Sequence, residues 1–209
     1  MRISSALLGA ALMLGACDPG ALQGAPDRAA VSVAGETITI AAPPGFCVDP
    51  ASTSVTDRGA FLLVSDCGLL GFRADERAAS GEILGAVMTA SVSANELLIA
   101  EGSDTTLDDL EAFALTARGR AVLGRSGEAE ATRTLQTLMR GDVLYVLVED
   151  RGAQPMPGVE PRFWRAFLNV SGRMTALSAQ GFAGAGVGPE AGLRYLIGFA
   201  ESIKAANRG

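Results

Sequence analysis

The chain has 209 residues, formal net charge -6 and no histidine. The length suits one domain with a real core. Without histidine there is no Ser-His-Asp or Cys-His centre of the usual type, and the acidic balance argues against general nucleic-acid binding, which needs clustered lysine and arginine.

The N-terminus comes first in chain order. Arg2 is followed by an apolar stretch, Ala6 to Leu14, and then by the small residues Gly15 and Ala16 before Cys17. That is a signal-peptide pattern, and it is far short of the roughly 20 apolar residues that span a bilayer. Leu14-Gly15-Ala16-Cys17 resembles the lipobox of bacterial lipoproteins. The resemblance implies cleavage before Cys17, diacylation of its sulfur and attachment to the lipid bilayer on the periplasmic side of the envelope. Two acyl chains anchor a protein stably, whereas one holds it only marginally. Asp18 follows; in enteric lipoproteins an aspartate there accompanies retention at the inner membrane.

The expected organisation is a signal peptide over 1–16, a lipidated cysteine and tether over 17–29, and one globular domain over 30–209. Pro19, Gly20, Gly24 and Pro26 mark the tether. With Cys17 lipidated, Cys47 and Cys67 remain, and an exported protein with an even pair predicts a disulfide between them. A metal or redox site is the competing reading, but there is no Cys-x-x-Cys and no histidine to complete a zinc set. No metal or cofactor is expected.

Val31-Ser32-Val33 and Thr37-Ile38-Thr39-Ile40 alternate around Ala34-Gly35, the pattern of a tight hairpin. Pro43-Pro44-Gly45 ends it, and Phe61 to Val64 and Ile83 to Ser93 read as further strands. Thr106 begins a predicted helix, with Asp109 at capping-box spacing. Leu107, Leu110, Phe113, Ala114 and Ala117 form its core face, and Gly119 ends it.

Four strands follow: Thr132 to Arg140, Val143 to Val148, Arg162 to Val170 and Arg173 to Gln180. Their short connections, at Gly141-Asp142 and Ser171-Gly172 among others, make an antiparallel meander. A C-terminal helix opens at Pro189 with an apolar stripe of Leu193, Leu196, Ile197, Ala200 and Ile203. The fold class is therefore α+β, an antiparallel sheet covered by two helices. In order and length it resembles the PsbP/Mog1-like α/β/α sandwich, whose members act as accessory and binding proteins. Pro43-Pro44-Gly45-Phe46-Cys47-Val48-Asp49 also resembles a segment of uncharacterised bacterial lipoproteins.

Chemical motifs are sparse. Lys204 is the only lysine and Ala205 follows it, which excludes a Walker loop; there is no Gly-x-Ser-x-Gly. The glycine-rich stretch Gly181 to Gly188 reads as a flexible loop, and Glu149-Asp150-Arg151 as a solvated turn. Phe163-Trp164-Arg165-Ala166-Phe167 puts aromatics on both faces of a strand. The outward members among Phe163, Trp164 and Phe167 are the candidate surface for an envelope protein partner. The expected function is a membrane-tethered, noncatalytic accessory or binding module. The alternative is an envelope hydrolase using carboxylates and arginines.

Overall fold

Alternation of apolar and polar residues sets the first element. Val31, Val33, Ile38 and Ile40 are all buried and come from two strands, β1 (Arg28–Val33) and β2 (Glu36–Ala41). The turn between them places Ala34 and Gly35 at φ 48° and 87°. Successive left-handed residues give the turn whose twist matches a two-residue hairpin.

The computed structural model describes residues 26–70, 85–96, 107–153 and 157–208. The lipobox, Asp18, the tether as far as Ala25, Ile83, the Thr106 cap and Gln154 to Met156 lie outside the described residues. β1 starts within the segment assigned to the tether. Val48 N–H donates to the Pro26 carbonyl at 2.9 Å, and Ala42 N–H to that of Asp27 at 2.7 Å. Arg28, Ala29 and Ala30 have no strong alternation, so the pattern shows itself only at Val31.

The main sheet has seven strands: β3 (Phe46–Thr56), β4 (Gly59–Asp66), β5 (Ala86–Glu96), β6 (Thr132–Arg140), β7 (Val143–Asp150), β8 (Val159–Val170) and β9 (Arg173–Phe182). Their order is β3-β4-β5-β9-β8-β7-β6, with every pair antiparallel. The expected meander occupies four consecutive positions. β3 is a strand the pattern did not predict. It contains Pro50 and mostly small or polar residues, and its register slips between Asp49 and Ser54. Proline is tolerated in a sheet at such edges and bulges.

Helices cover both faces. On one, α3 (Pro189–Ala206) buries Leu196, Phe199, Ala200 and Ile203 against a core that includes Met88, Trp164, Leu168 and Leu177. The β1–β2 hairpin packs on the same side, where Asn207 bonds the backbone of Thr39 in both directions, at 2.9 and 2.7 Å. On the other, α1 (Leu107–Leu115) and α2 (Ala117–Leu123) place Ala114 and Leu123 against Leu144, Val146, Val148 and Phe163. The result is an α/β/α sandwich with three helices among the described residues.

The expected single helix after Thr106 is thus two. Thr116 adopts an extended conformation and its hydroxyl accepts from Gly119 N–H at 2.9 Å, so it caps a new helix. Ala117 opens that helix and is exposed, not core-facing. Gly119 does not end a helix; it lies inside α2, where a Cβ would come within 1.9 Å of the Phe113 carbonyl oxygen. The expected disulfide is formed. Cys47 on β3 and Cys67 just after β4 are bonded, with Cα atoms 4.9 Å apart.

Candidate functional site

The aromatic strand segment is not a surface. Trp164 is buried beneath the start of α3, and its indole N–H donates to the Pro189 carbonyl at 2.8 Å. Phe163, on the opposite face, is equally buried in the α1–α2 cluster, and half-buried Phe167 packs against that cluster. The expectation that the outward aromatics form a partner surface is corrected here. It treated one face of β8 as open, whereas helices cover both.

Glu149 and Asp150 are buried carboxylates, not a solvated turn. They are adjacent on β7, so they point to opposite faces. Glu149 meets Arg162 Nε at 2.9 Å and Arg151 Nε at 3.2 Å. Those two guanidiniums, Arg162 first, hold its carboxyl below the usual range. Asp150 ties down the loop after α2. Its Oδ2 accepts from the N–H groups of Arg125 and Ser126 at 2.6 and 2.9 Å. Its Oδ1 accepts from the Ser126 hydroxyl at 3.0 Å and Gly152 N–H at 2.9 Å. Burial pushes the Asp150 carboxyl upward, but these four donors outweigh it and keep it below its ordinary value.

Next to Asp150 lies a group that the sequence reading passed over. The Arg125 guanidinium carbon sits 4.3 Å from the centroid of the Phe163 ring, and that of Arg165 sits 5.6 Å from it. Arg165 Nε and Arg125 Nε and Nη1 are sealed from solvent without an acceptor. Burial, and then the charge of Arg125, push the Arg165 guanidinium down to about 10, so it stays protonated at neutral pH. A polar strip continues across the sheet on this face. Ser178 stands opposite Arg165 in register, and Thr89 opposite Ser178, their hydroxyls 2.7 Å apart. The sequence did contain a signal. Phe163, Arg165 and Phe167 share a face by strand period, and an arginine between two inward aromatics is out of place unless it has a task.

The second notable surface is the β6 edge. Among the described residues β6 pairs only with β7. A recess of about 380 Å³ beside it is lined by Leu115, Arg120, Glu130, Arg133 and Leu135 among others. Leu115 is 57% exposed and Leu135 43%. Leu135 sits at a bulge, where the register with β7 shifts between Thr134 and Gln136.

The glycine-rich loop connects β9 to α3, with Gly184 and Gly186 in left-handed conformations at φ 81° and 72°. Of the acidic first turn of α1, Asp108 is exposed; Glu111, one turn later, accepts from the Thr137 hydroxyl. Among the described residues, no three His, Cys, Asp or Glu side chains are placed to share a metal ion, and no helix is long and apolar enough to cross a membrane.

No family model matches the chain, and no curated protein does. A solved structure that is similar is the 1.9 Å crystal structure of the Ran-binding protein Mog1p from Saccharomyces cerevisiae. It is 14% identical, the match covers 87% of this chain and 94% of that one, and the TM-score is 0.44. At that level the likeness says nothing about ligand or activity.

Proposed function

We propose that this chain is a bacterial envelope lipoprotein, held to the bilayer through acylated Cys17, whose domain is a noncatalytic module that binds a protein partner along the β6 edge. The observation that carries the binding reading is an edge strand that, among the described residues, pairs on one side only and lies beside two exposed leucines. An added strand gains main-chain hydrogen bonds there, while side-chain recesses supply selectivity. Arg120, Arg133 and Glu130 give the groove a charged rim. The Cys47–Cys67 disulfide supports an oxidising compartment. The hydrolase alternative has no comparable observation behind it. Glu149 and Asp150 lie on opposite faces of the sheet, each fully engaged in holding structure.

Two measurements test this. Cys17→Ser should leave the signal peptide uncut and move the protein out of the membrane fraction; continued membrane association in detergent-free lysate refutes the anchor. A photo-crosslinking residue at Leu135, in cells carrying the lipidated chain, should give one discrete adduct. The same residue at Val55, exposed on β3 at the far edge of the sheet, should not. Equal labelling at both sites, or none at Leu135, removes the β6 edge from the proposal.

A further inference from the structure

The charges around Phe163 do not balance. Arg125 and Arg165 both lie within 6 Å of the ring centroid. The carboxylate acting on both is Asp150, and its two oxygens are already occupied by four donors from Arg125, Ser126 and Gly152. A carboxylate offers about four lone-pair sites, so Asp150 has no capacity left to accept from a guanidinium. Among the described residues, one positive charge is left over. So are the N–H groups at Nε and Nη1 of Arg125 and Nε of Arg165, buried with no acceptor. Buried donors are nearly always satisfied, and exceptions call for an explanation. The face of Phe163 offsets part of the cost through cation–π attraction, but a ring supplies no lone pairs. Arg125 Nη2 reaches the Glu160 carbonyl at 3.4 Å, a weak contact.

We propose that Arg125 and Arg165 form the binding site of a small carboxylate ligand, which lies along the strip that Ser178 and Thr89 extend across β9 and β5. One singly charged, planar group matches what is missing. It neutralises the one charge in excess, and it accepts in the plane of a guanidinium fork. A doubly charged phosphate would leave a net negative charge in a desolvated setting, which is costly. The hydroxyls of Ser178 and Thr89, half-buried and on the same face as Arg165, can each donate or accept toward the remainder of the ligand.

The test is ligand-induced stabilisation of the full-length chain in mild detergent. Acetate, propionate and inorganic phosphate are each titrated against chloride at matched ionic strength. Acetate or propionate should raise Tm saturably, by about 3–5 °C at about ten times Kd. Arg165→Met should abolish that rise. Its own Tm in chloride should match or exceed the parent's, because an apolar side chain of similar length replaces an uncompensated buried charge. Arg165→Lys keeps the charge without the planar fork and should respond more weakly than the parent, so the test survives if the methionine variant fails to fold. No saturable rise, or an equal rise in Arg165→Met, overturns the proposal. A larger response to phosphate than to either carboxylate overturns the ligand class. A marked fall in the Tm of Arg165→Met shows that the guanidinium is there to support Phe163 and overturns the site. The measurement involves neither the anchor nor a protein partner, so its failure is separate from failure of the function proposed above.

Discussion

The two faces of the seven-stranded sheet are built differently. Beneath α3 and the β1–β2 hairpin, the buried set is mainly apolar, with Leu196, Phe199, Ile203, Ile38, Ile40 and Met88 each at 0% exposure; its buried charge, Arg173, donates to the Ala34 and Ala94 carbonyls. Beneath α1 and α2 the apolar cluster is smaller, and it adjoins Asp150, Arg125 and Arg165 on the same side of the sheet. At its border lie the exposed leucines of the β6 edge. The first face maximises apolar burial. The second gives up some of that burial to hold two guanidiniums with buried N–H groups that lack an acceptor among the described residues. On the function proposed above, stability belongs to the first face and recognition to the second, and substitutions on each should separate the two.

The largest effect is expected on the α3 face. Leu196→Asp puts an unpaired carboxylate where nothing is exposed, and should cost about 4 kcal/mol of a total on the order of 5–15. Arg194→Asp, exposed on the same helix, should fall within about 0.5 kcal/mol. Urea denaturation compares them. Small, equal shifts in midpoint would mean that α3 does not seal this face, and the contrast between faces would collapse.

Next comes the staple at the far edge. Reducing Cys47–Cys67, which closes a separation of 20 residues, should lower stability by about 3 kcal/mol in the chain-entropy account. In the exported protein neither cysteine should react with an alkylating agent until a reductant is added. Free thiols under denaturing, non-reducing conditions would contradict the bond.

The α1–α2 face is tested through its carboxylate. Asp150→Ala leaves three N–H groups and a hydroxyl without their acceptor and should cost about 2–3 kcal/mol. Glu149 and Asp150 both titrate below their ordinary values of 4.5 and 3.8. Their unfolded forms take up protons first as pH falls, so their contribution is intact above about pH 5 and is lost as pH drops through the folded values. Acid unfolding should begin near pH 4 and be shallower in Asp150→Asn. An unchanged acid slope in that variant would detach Asp150 from the loop it is drawn as holding.

How much of this was legible depended on whether a residue's task was periodic. The α3 stripe, the meander and the first hairpin repeat at 3.6 or 2 residues, so Leu196 or Ile38 declares its face by spacing alone. β3 did not declare itself, because an edge strand with Pro50 and a slipped register has no clean alternation. Phe199 was missed because α3 is covered on a wider arc than one stripe, by the hairpin as well as the sheet. The break at Thr116 depends on a hydroxyl cap inside a helical pattern, which hydrophobic spacing does not register. Burial of Phe163 and Trp164 on opposite faces requires knowing that both faces are covered, a tertiary fact. The Arg125–Arg165 pair joins a loop to a strand across 40 positions of sequence, and only the fold brings them together.

The smallest effect on stability, and the one that most sharpens the contrast, is at Leu135. It is exposed at the bulge of the β6 edge, so Leu135→Arg removes little buried area and should change stability in urea denaturation by less than about 0.5 kcal/mol. If the edge is a recognition surface, the same substitution should strongly weaken partner crosslinking from a probe placed at exposed Leu115, across the recess. A new arginine beside Arg120 and Arg133 adds like charge to the groove and narrows the apolar contact that an added strand would use. Leu196→Asp should show the converse, with crosslinking lost only in proportion to unfolding. Should Leu135→Arg destabilise the protein as much as a core substitution, the β6 edge would be part of the sealed structure, and the division between a stabilising face and a recognising one would not hold there.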